Sequence, residues 1–359
     1  MSSSPLSPAS PSPSASASAS ASTSQISFGP LSDNPSASHH LIYFITGNPG
    51  LIAYYDTFLR TLHELLPNIS TSTASANNRV FHIYGQSLAG FDVDEQISAK
   101  SPSPLRESPY SLEDQIRIHL KALAEFRIQS GPRQGQLHDS VILIGHSVGS
   151  YILLEIIQRL RQHDSAPRIK AGILLFPTVT HIAKSPSGVK ISTLFRIPNF
   201  PKRISTLVKA LVWLLPKSFM ERAVGGITRM PDDAAKVTTG FLRSRMGVWQ
   251  ALQMAKDEME TITEDRWDED IWGIEHEEAD YKAEIPKLIF YFGQNDHWVA
   301  DHTRDALIAA RAQTGGLSKS SKPIMLIDEN GVDHGFCIRH SESIAEKVKM
   351  WIDTILSDL

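Results

Sequence analysis

The sequence predicts an α/β fold, with a mostly parallel central sheet and a mainly helical cap inserted into it. Three observations carry that expectation. Short apolar runs recur without alternation, segments of helical spacing separate them, and one strand-to-helix junction reads Gly-His-Ser-Val-Gly at 145–149. Strands covered on both faces need apolar residues at every position, and strand–helix alternation brings such strands side by side in parallel.

The elements follow in order. Residues 2–24 are almost entirely serine, alanine and proline, without a charge. Such a segment buries too little apolar surface to offset the entropy of ordering, so residues 1–38 are expected to form a disordered tail and 39–359 the folded domain. The tail lacks the basic start and apolar block of a secretory signal, and the arginines of a mitochondrial presequence. Strands are expected at 41–46, 79–84, 140–144, 171–176, 287–292 and 323–327, and helices at 54–66, 111–129, 148–162, 299–312 and 341–356. Between 177 and 285 no sheet strand stands out, and this stretch reads as the cap. Its first half is basic, with eight lysines and arginines from Lys184 to Arg222 against Glu221 alone. Its second half carries an acidic run from Asp257 to Asp280 that reads as a solvated face or loop.

A chain of 359 residues that is 41% hydrophobic can bury a large core. A formal charge of −4 and a pI near 6.4 give no reason to expect nucleic acid. Cys337 is the sole cysteine, which excludes an internal disulfide and suits a cytosol-facing location. No run reaches the roughly 18 to 20 apolar residues that span a bilayer.

Glycine, any residue, serine, any residue, glycine between strand and helix is a nucleophile elbow, a turn so tight that its serine adopts strained backbone angles. Ser147 is therefore the candidate nucleophile. It needs a base to take its proton and a carboxylate to orient that base, in the chain order serine, acid, histidine. Asp296 follows the strand at 287–292 and His334 follows the strand at 323–327, so both belong on the rim where Ser147 emerges. Competitors are weaker: His297 adjoins Asp296, Asp301 and His302 begin a helix, His340 opens the last helix, and His146 points away from Ser147. Two main-chain N–H groups should hold the oxyanion. Val148 supplies one at the helix start. The loop Thr46-Gly47-Asn48-Pro49-Gly50 supplies the other through Asn48, since Pro49 has no N–H. Ser87, in Gly-Gln-Ser-Leu-Ala at 85–89, lacks the second glycine and reads as a loop residue.

With these residues placed, the chain resembles the lipid droplet-associated hydrolase family of the α/β-hydrolase fold. The resemblance rests on Ile-Thr-Gly-Asn-Pro-Gly at 45–50 followed by Tyr54, Tyr55 and Phe58, and on Tyr-Ser-Leu-Glu-Asp-Gln-Ile at 110–116. It continues through Gly-His-Ser-Val-Gly-Ser at 145–150, Leu-Phe-Pro-Thr at 175–178, Ser-Pro-Ser-Gly at 185–188, Asp-His-Trp-Val at 296–299 and Asp-His-Gly-Phe at 333–336. The family's serine, aspartate and histidine fall on Ser147, Asp296 and His334. Thr46 stands where proline is often seen, and the tail and acidic run depart from the pattern. The resemblance implies residence on lipid droplets and the endoplasmic reticulum, and weak hydrolysis of sterol esters or other neutral lipids.

The cap offers a separate reason for a lipid surface. Ile204, Leu207, Val208, Leu211 and Leu215 share one helical face, with Lys202, Arg203, Ser205, Thr206 and Lys209 largely opposite and Trp213 suited to an interface. Such a helix can lie in a monolayer through Leu207, Val208, Leu211 and Trp213, or pack apolar side down over the site. The expected function is a serine esterase acting on sterol esters or acylglycerols, without metal or organic cofactor and without an obligate protein partner. The alternative is a droplet surface or organising protein with weak or vestigial hydrolase activity.

Overall fold

The computed structural model describes residues 23–30, 36–66, 79–91, 108–161, 167–273, 285–312 and 322–357. Their strands are β1 Gln25–Phe28, β2 Ser38–Ile45, β3 Arg79–Gln86, β4 Ser140–His146, β5 Ile169–Leu175, β6 Lys287–Phe292 and β7 Ile324–Ile327. They form one sheet in the order β1-β3-β2-β4-β5-β6-β7, parallel throughout except for β1. The six expected apolar runs are β2 to β7.

Period-two geometry sends alternate residues of each strand to opposite faces, and both faces are buried. Leu41, Tyr43 and Ile45 of β2 join Val141 and Leu143 of β4 in one core cluster. Ile42 and Phe44 join Ile142 and Ile144 in the other. Helices α2 Leu112–Glu125 and α3 Val148–Leu160 close the first face; α1 Asp56–Leu65 and the C-terminal helix α10 Ser341–Ser357 close the second. Ser111 caps α2, accepting from the Asp114 N–H while the Asp114 carboxylate accepts from the Ser111 N–H.

The expected tail needs correction. Gln25–Phe28, inside residues 1–38, pairs antiparallel with β3 as an edge strand. Two apolar side chains anchor it: Ile26 enters the second core cluster, and Phe28 stacks on His63 with ring centroids 5.0 Å apart. Residues 1–22 and 31–35 of that tail lie outside the described residues.

The described part of 177–285 contains no strand. It holds α4 Pro186–Phe195, α5 Phe200–Trp213, α6 Lys217–Thr228, α7 Asp232–Arg243 and α8 Gly247–Thr261. The remaining long helix, α9 Asp301–Arg311, follows β6. Among the described residues no helix is long and apolar enough to cross a membrane.

Of the six histidines buried among the described residues, five resist protonation. Burial, the largest influence on each, lowers His40, His119 and His138 to about 4 and His82 and His146 to about 3. The unfolded chain takes up these protons near pH 6.5, whereas the folded chain resists them down to about 3–4. Stability is thus complete above pH 6.5 and declines as pH falls toward 4, by about 1.4 kcal/mol per pH unit for each proton withheld. Thermal melts should show Tm at pH 5 at least about 5 °C below that at pH 7.5; equal values would contradict neutral, buried imidazoles.

Candidate active site

Ser147 joins the end of β4 to the start of α3 with φ 53° and ψ −123°, a conformation that L residues avoid. The flanking glycines are needed because backbone meets backbone there. A Cβ on Gly145 would lie 2.5 Å from the Gly149 carbonyl oxygen, and one on Gly149 only 2.4 Å from that of Ile45. The Ser147 N–H donates to the Leu175 carbonyl at 3.0 Å, so the elbow is wedged between the ends of β2 and β5.

The structure brings Ser147, His334 and Asp296 together. Ser147 Oγ lies 2.9 Å from His334 Nε2, and His334 Nδ1 lies 2.6 Å from Asp296 Oδ2. A carboxylate only accepts, so Nδ1 carries the imidazole proton and Nε2 is left to accept from the Ser147 hydroxyl. Burial alone would push the Asp296 carboxyl up, but the His334 ring and the Trp298 N–H, donating at 2.8 Å, outweigh it and hold Asp296 below the usual carboxylate range. All three side chains are nearly enclosed.

Parallel strand register puts these loops on one rim. Asp296 leaves β6 and His334 leaves β7. The loop to His334 is shaped by buried Asp328, which accepts from the Asn330 and Val332 N–H groups and from the Tyr291 hydroxyl. The competitors go elsewhere. Asp301 opens α9 and pairs with Arg304 at 2.9 Å, and His340 lies 3.9 Å from Asp333. Ser87 accepts from the Ile52 N–H and sits on a loop.

The glycine-rich loop after β2 packs directly on the elbow, since a Cβ on Gly47 would lie 3.1 Å from Ser147 Cβ. The Gly47 N–H donates to Tyr55 Oη at 3.1 Å. Tyr55 Oη lies 2.7 Å from His146 Nδ1, and His146 Nε2 lies 2.8 Å from the His334 carbonyl oxygen. Only one proton arrangement satisfies this chain: neutral His146 donates from Nε2, and the Tyr55 hydroxyl donates to Nδ1. His146 does face away from Ser147, as its position in the elbow implied. That orientation lets it tie the elbow, the Gly47 loop and the His334 loop to one another. The Tyr54-Tyr55 pair after Gly-Asn-Pro-Gly was the available signal for this network, which sequence reasoning missed.

The cap touches each of these loops. Asn48 Nδ2 donates to the Ala251 carbonyl at 3.0 Å and to Glu258 Oε1 at 2.8 Å, both on α8. The Tyr54 hydroxyl lies 2.7 Å from Thr238 Oγ1 on α7, the Ser187 N–H donates to the His297 carbonyl, and Arg339 donates to the Thr228 and Arg229 carbonyls. Between α6, α7 and the loops beyond Gly47 and His334 lies a cavity of about 860 Å³, lined by Tyr54, Met230, Val237, Cys337, Ile338 and neighbours.

Two expectations about the cap change. The acidic run is not uniformly solvated: Glu258 is buried on the inner face of α8, and Asp265 pairs with Arg311 at 2.8 Å. Glu275, Glu277, Glu278 and Asp280 lie outside the described residues. The faces of α5 are also rotated from the expected split. Ser205 and Val212 are buried and Val208 is half-buried, whereas Leu207 (65%), Leu211 (61%) and Trp213 (83%) are exposed. Apolar residues occur on both sides of this helix, so spacing alone did not identify the packed side. Of thirteen exposed large apolar residues among those described, nine fall between Val189 and Ile227. Among the described residues, exposed large apolar side chains are therefore concentrated on α4 to α6 and the turns between them.

Tyr55→Phe tests the network behind the elbow. It leaves the Gly47 N–H and His146 Nδ1 without their partner in a buried site, so it should cost about 2–4 kcal/mol in chemical denaturation. A loss below about 0.5 kcal/mol would show that the hydroxyl is replaceable.

Known proteins give a consistent picture. The lipid droplet-associated hydrolase of Gallus gallus is 25% identical over 322 residues, covering 89% of this chain and 86% of that one. That of Drosophila melanogaster is 26% identical over 329 residues, covering 86% and 87%. Among solved structures, the juvenile hormone epoxide hydrolase of Bombyx mori superposes with a TM-score of 0.54 at 12% identity, covering 93% of this chain and 73% of that one. A peroxisomal alpha-beta-hydrolase of Saccharomyces cerevisiae gives 0.52 at 13%, covering 93% and 89%. At such identities the structural likeness speaks to the fold alone, which is the α/β-hydrolase fold. The family model for lipid-droplet associated hydrolases matches residues 38–337, and the chain belongs to that family.

Proposed function

We propose that the protein is a serine hydrolase cleaving carboxylic esters of neutral lipids, sterol esters or acylglycerols, at a lipid-droplet or endoplasmic reticulum surface. The hydrogen-bonded line Ser147–His334–Asp296 is the observation that carries this reading. Ser147 Oγ attacks the ester carbonyl while His334 Nε2 takes its proton. Asp296 orients His334 and stabilises the imidazolium that forms. The proton then passes to the departing alcohol, and water completes the second half through the same base. The Val148 N–H, at the start of α3, and the Asn48 N–H receive the oxyanion. The neighbouring Gly47 N–H is committed to Tyr55, which favours Asn48 as the loop's donor.

Lipid as the substrate class is supported by the family and by the apolar outer cap. Leu207, Leu211 and Trp213, with basic Lys202 and Arg203 on the same helix, suit a phospholipid monolayer. Val208, half-buried, is not part of that contact. The same surface also favours a second reading, a droplet surface protein whose hydrolase site is weak or vestigial, because it would bind lipid whether or not Ser147 turns over.

Hydrolysis of sterol esters, acylglycerols and short-chain esters by wild type and Ser147→Ala separates the two readings. Wild type should hydrolyse at least one class and label with a fluorophosphonate, and Ser147→Ala should do neither. Labelling that survives the substitution refutes the nucleophile, and wild-type inactivity across the panel leaves the surface-protein reading. Replacing Leu207, Leu211 and Trp213 together with aspartate should lower droplet binding about tenfold or more, because each buried side chain is worth about 1.5–3 kcal/mol. Undiminished binding in a flotation assay would move the contact off α5.

A further inference from the structure

Glu258 is 4% exposed, and among the described residues it forms no ion pair. Burial raises its carboxyl to about 8, despite the hydrogen bond from Asn48, so it is a neutral acid at neutral pH. A buried acid without a cation is poor packing material, and leucine or methionine would fill the place at lower cost. What it touches gives it a use. Its Oε1 accepts from Asn48 Nδ2 at 2.8 Å, while the carbonyl of Ala251, two turns earlier on the same face of α8, accepts the other proton of that amide at 3.0 Å. Asn48 Oδ1 is buried with no partner, so these two bonds alone set the amide's orientation.

The chain on either side of Asn48 is held as well. Gly47 is bonded through its N–H to Tyr55, and Pro49 has a fixed φ and no N–H. The side-chain tether to α8 adds a third restraint at Asn48 itself, between these two held neighbours. Seating of α8 does not depend on the tether. Buried Gln250 accepts from the Tyr110 N–H at 2.7 Å and donates to the Tyr110 carbonyl at 2.8 Å, and Met254 reaches the first core cluster.

We propose that Glu258 is a positioning residue, which acts from the cap through the Asn48 side chain to aim the Asn48 main-chain N–H at the oxyanion. The inference rests on the serine hydrolase reading above and deepens it: the oxyanion hole is assembled partly by the cap.

The test measures steady-state hydrolysis of a chromogenic short-chain ester by wild type, Ser147→Ala, Glu258→Leu, Glu258→Gln, Asn48→Ala and the double variant Asn48→Ala/Glu258→Leu, with a thermal melt of each. Glu258→Leu should lower kcat about 10- to 100-fold, with KM within about threefold and Tm close to wild type, because a mis-aimed oxyanion donor is lost only in the transition state. Glu258→Gln, which mimics a neutral acid and keeps the accepting oxygen, should recover most of that loss. Asn48→Ala keeps its main-chain N–H but loses the tether. It should match Glu258→Leu, and the double variant should be no worse than either. Wild-type kcat in Glu258→Leu, glutamine no better than leucine, or multiplied losses in the double variant would each overturn the positioning role. No Ser147-dependent turnover in the wild type would sink the hydrolase reading and this inference with it. Normal turnover unchanged in Glu258→Leu sinks the inference alone.

Discussion

The closest approach in the molecule that matters for function is backbone against backbone at the elbow. Gly149 lies so near the Ile45 and Thr46 carbonyls that neither oxygen could tolerate a Cβ, and Gly145 is pressed on Gly149 in the same way. This contact forces the positive φ of Ser147 and brings the end of β2 against the start of α3. The loop beginning at Gly47 is therefore stationed over Ser147 by the same packing that presents the hydroxyl to His334. The placement of Ser147 and that of the candidate oxyanion donors are two consequences of one steric constraint. Parallel register does the rest, since β6 and β7 end on that rim and deliver Asp296 and His334.

Around this constraint the site is buried and carries few charges. His146 is neutral, with both ring nitrogens bonded, and Glu258 is a neutral acid at neutral pH. Asp296, held below the usual carboxylate range, is the anion hydrogen-bonded to His334. In low dielectric such a charge acts strongly on His334 because little solvent or counter-charge competes with it. Protonating His146 would remove the acceptor for Tyr55 and set a cation beside His334. Its strongly lowered pKa thus serves the geometry of the site as well as its electrostatics.

Much of this was legible in the sequence because the relevant residues sit where strand ends must be. Six strands announced themselves as apolar runs, and Ser147, Asp296 and His334 followed from chain order plus the rule that parallel strands point the same way. β1 was not legible. Only Ile26 and Phe28 give it apolar contacts, and an edge strand of four residues in a polar neighbourhood has no period to detect. Glu258 was hidden for the opposite reason: neighbouring Asp257 and Glu260 made it look like one more solvated charge, although it shares the inner face of α8 with Gln250, Met254 and Ala251. On α5 the apolar residues wrap too far round the helix for spacing to say that Ser205, not Leu207, faces the protein.

The cap therefore has two kinds of surface with different physical demands. Its outer layer, α4 to α6, is apolar and exposed, the character required for contact with lipid. Its inner helix, α8, is hydrogen-bonded to the core through Gln250 and to the glycine-rich loop through Ala251 and Glu258. Helices α6 and α7 are held to the loops more lightly, by the Tyr54–Thr238 contact and by Arg339 on the carbonyls at the end of α6. The large cavity lies along that lighter seam, bordered by Tyr54 and Arg339 themselves. Separating α6 and α7 from the loops would cost few hydrogen bonds and widen a space that already exists. Lifting α8 would expose a buried glutamine and a buried carboxyl and release Asn48.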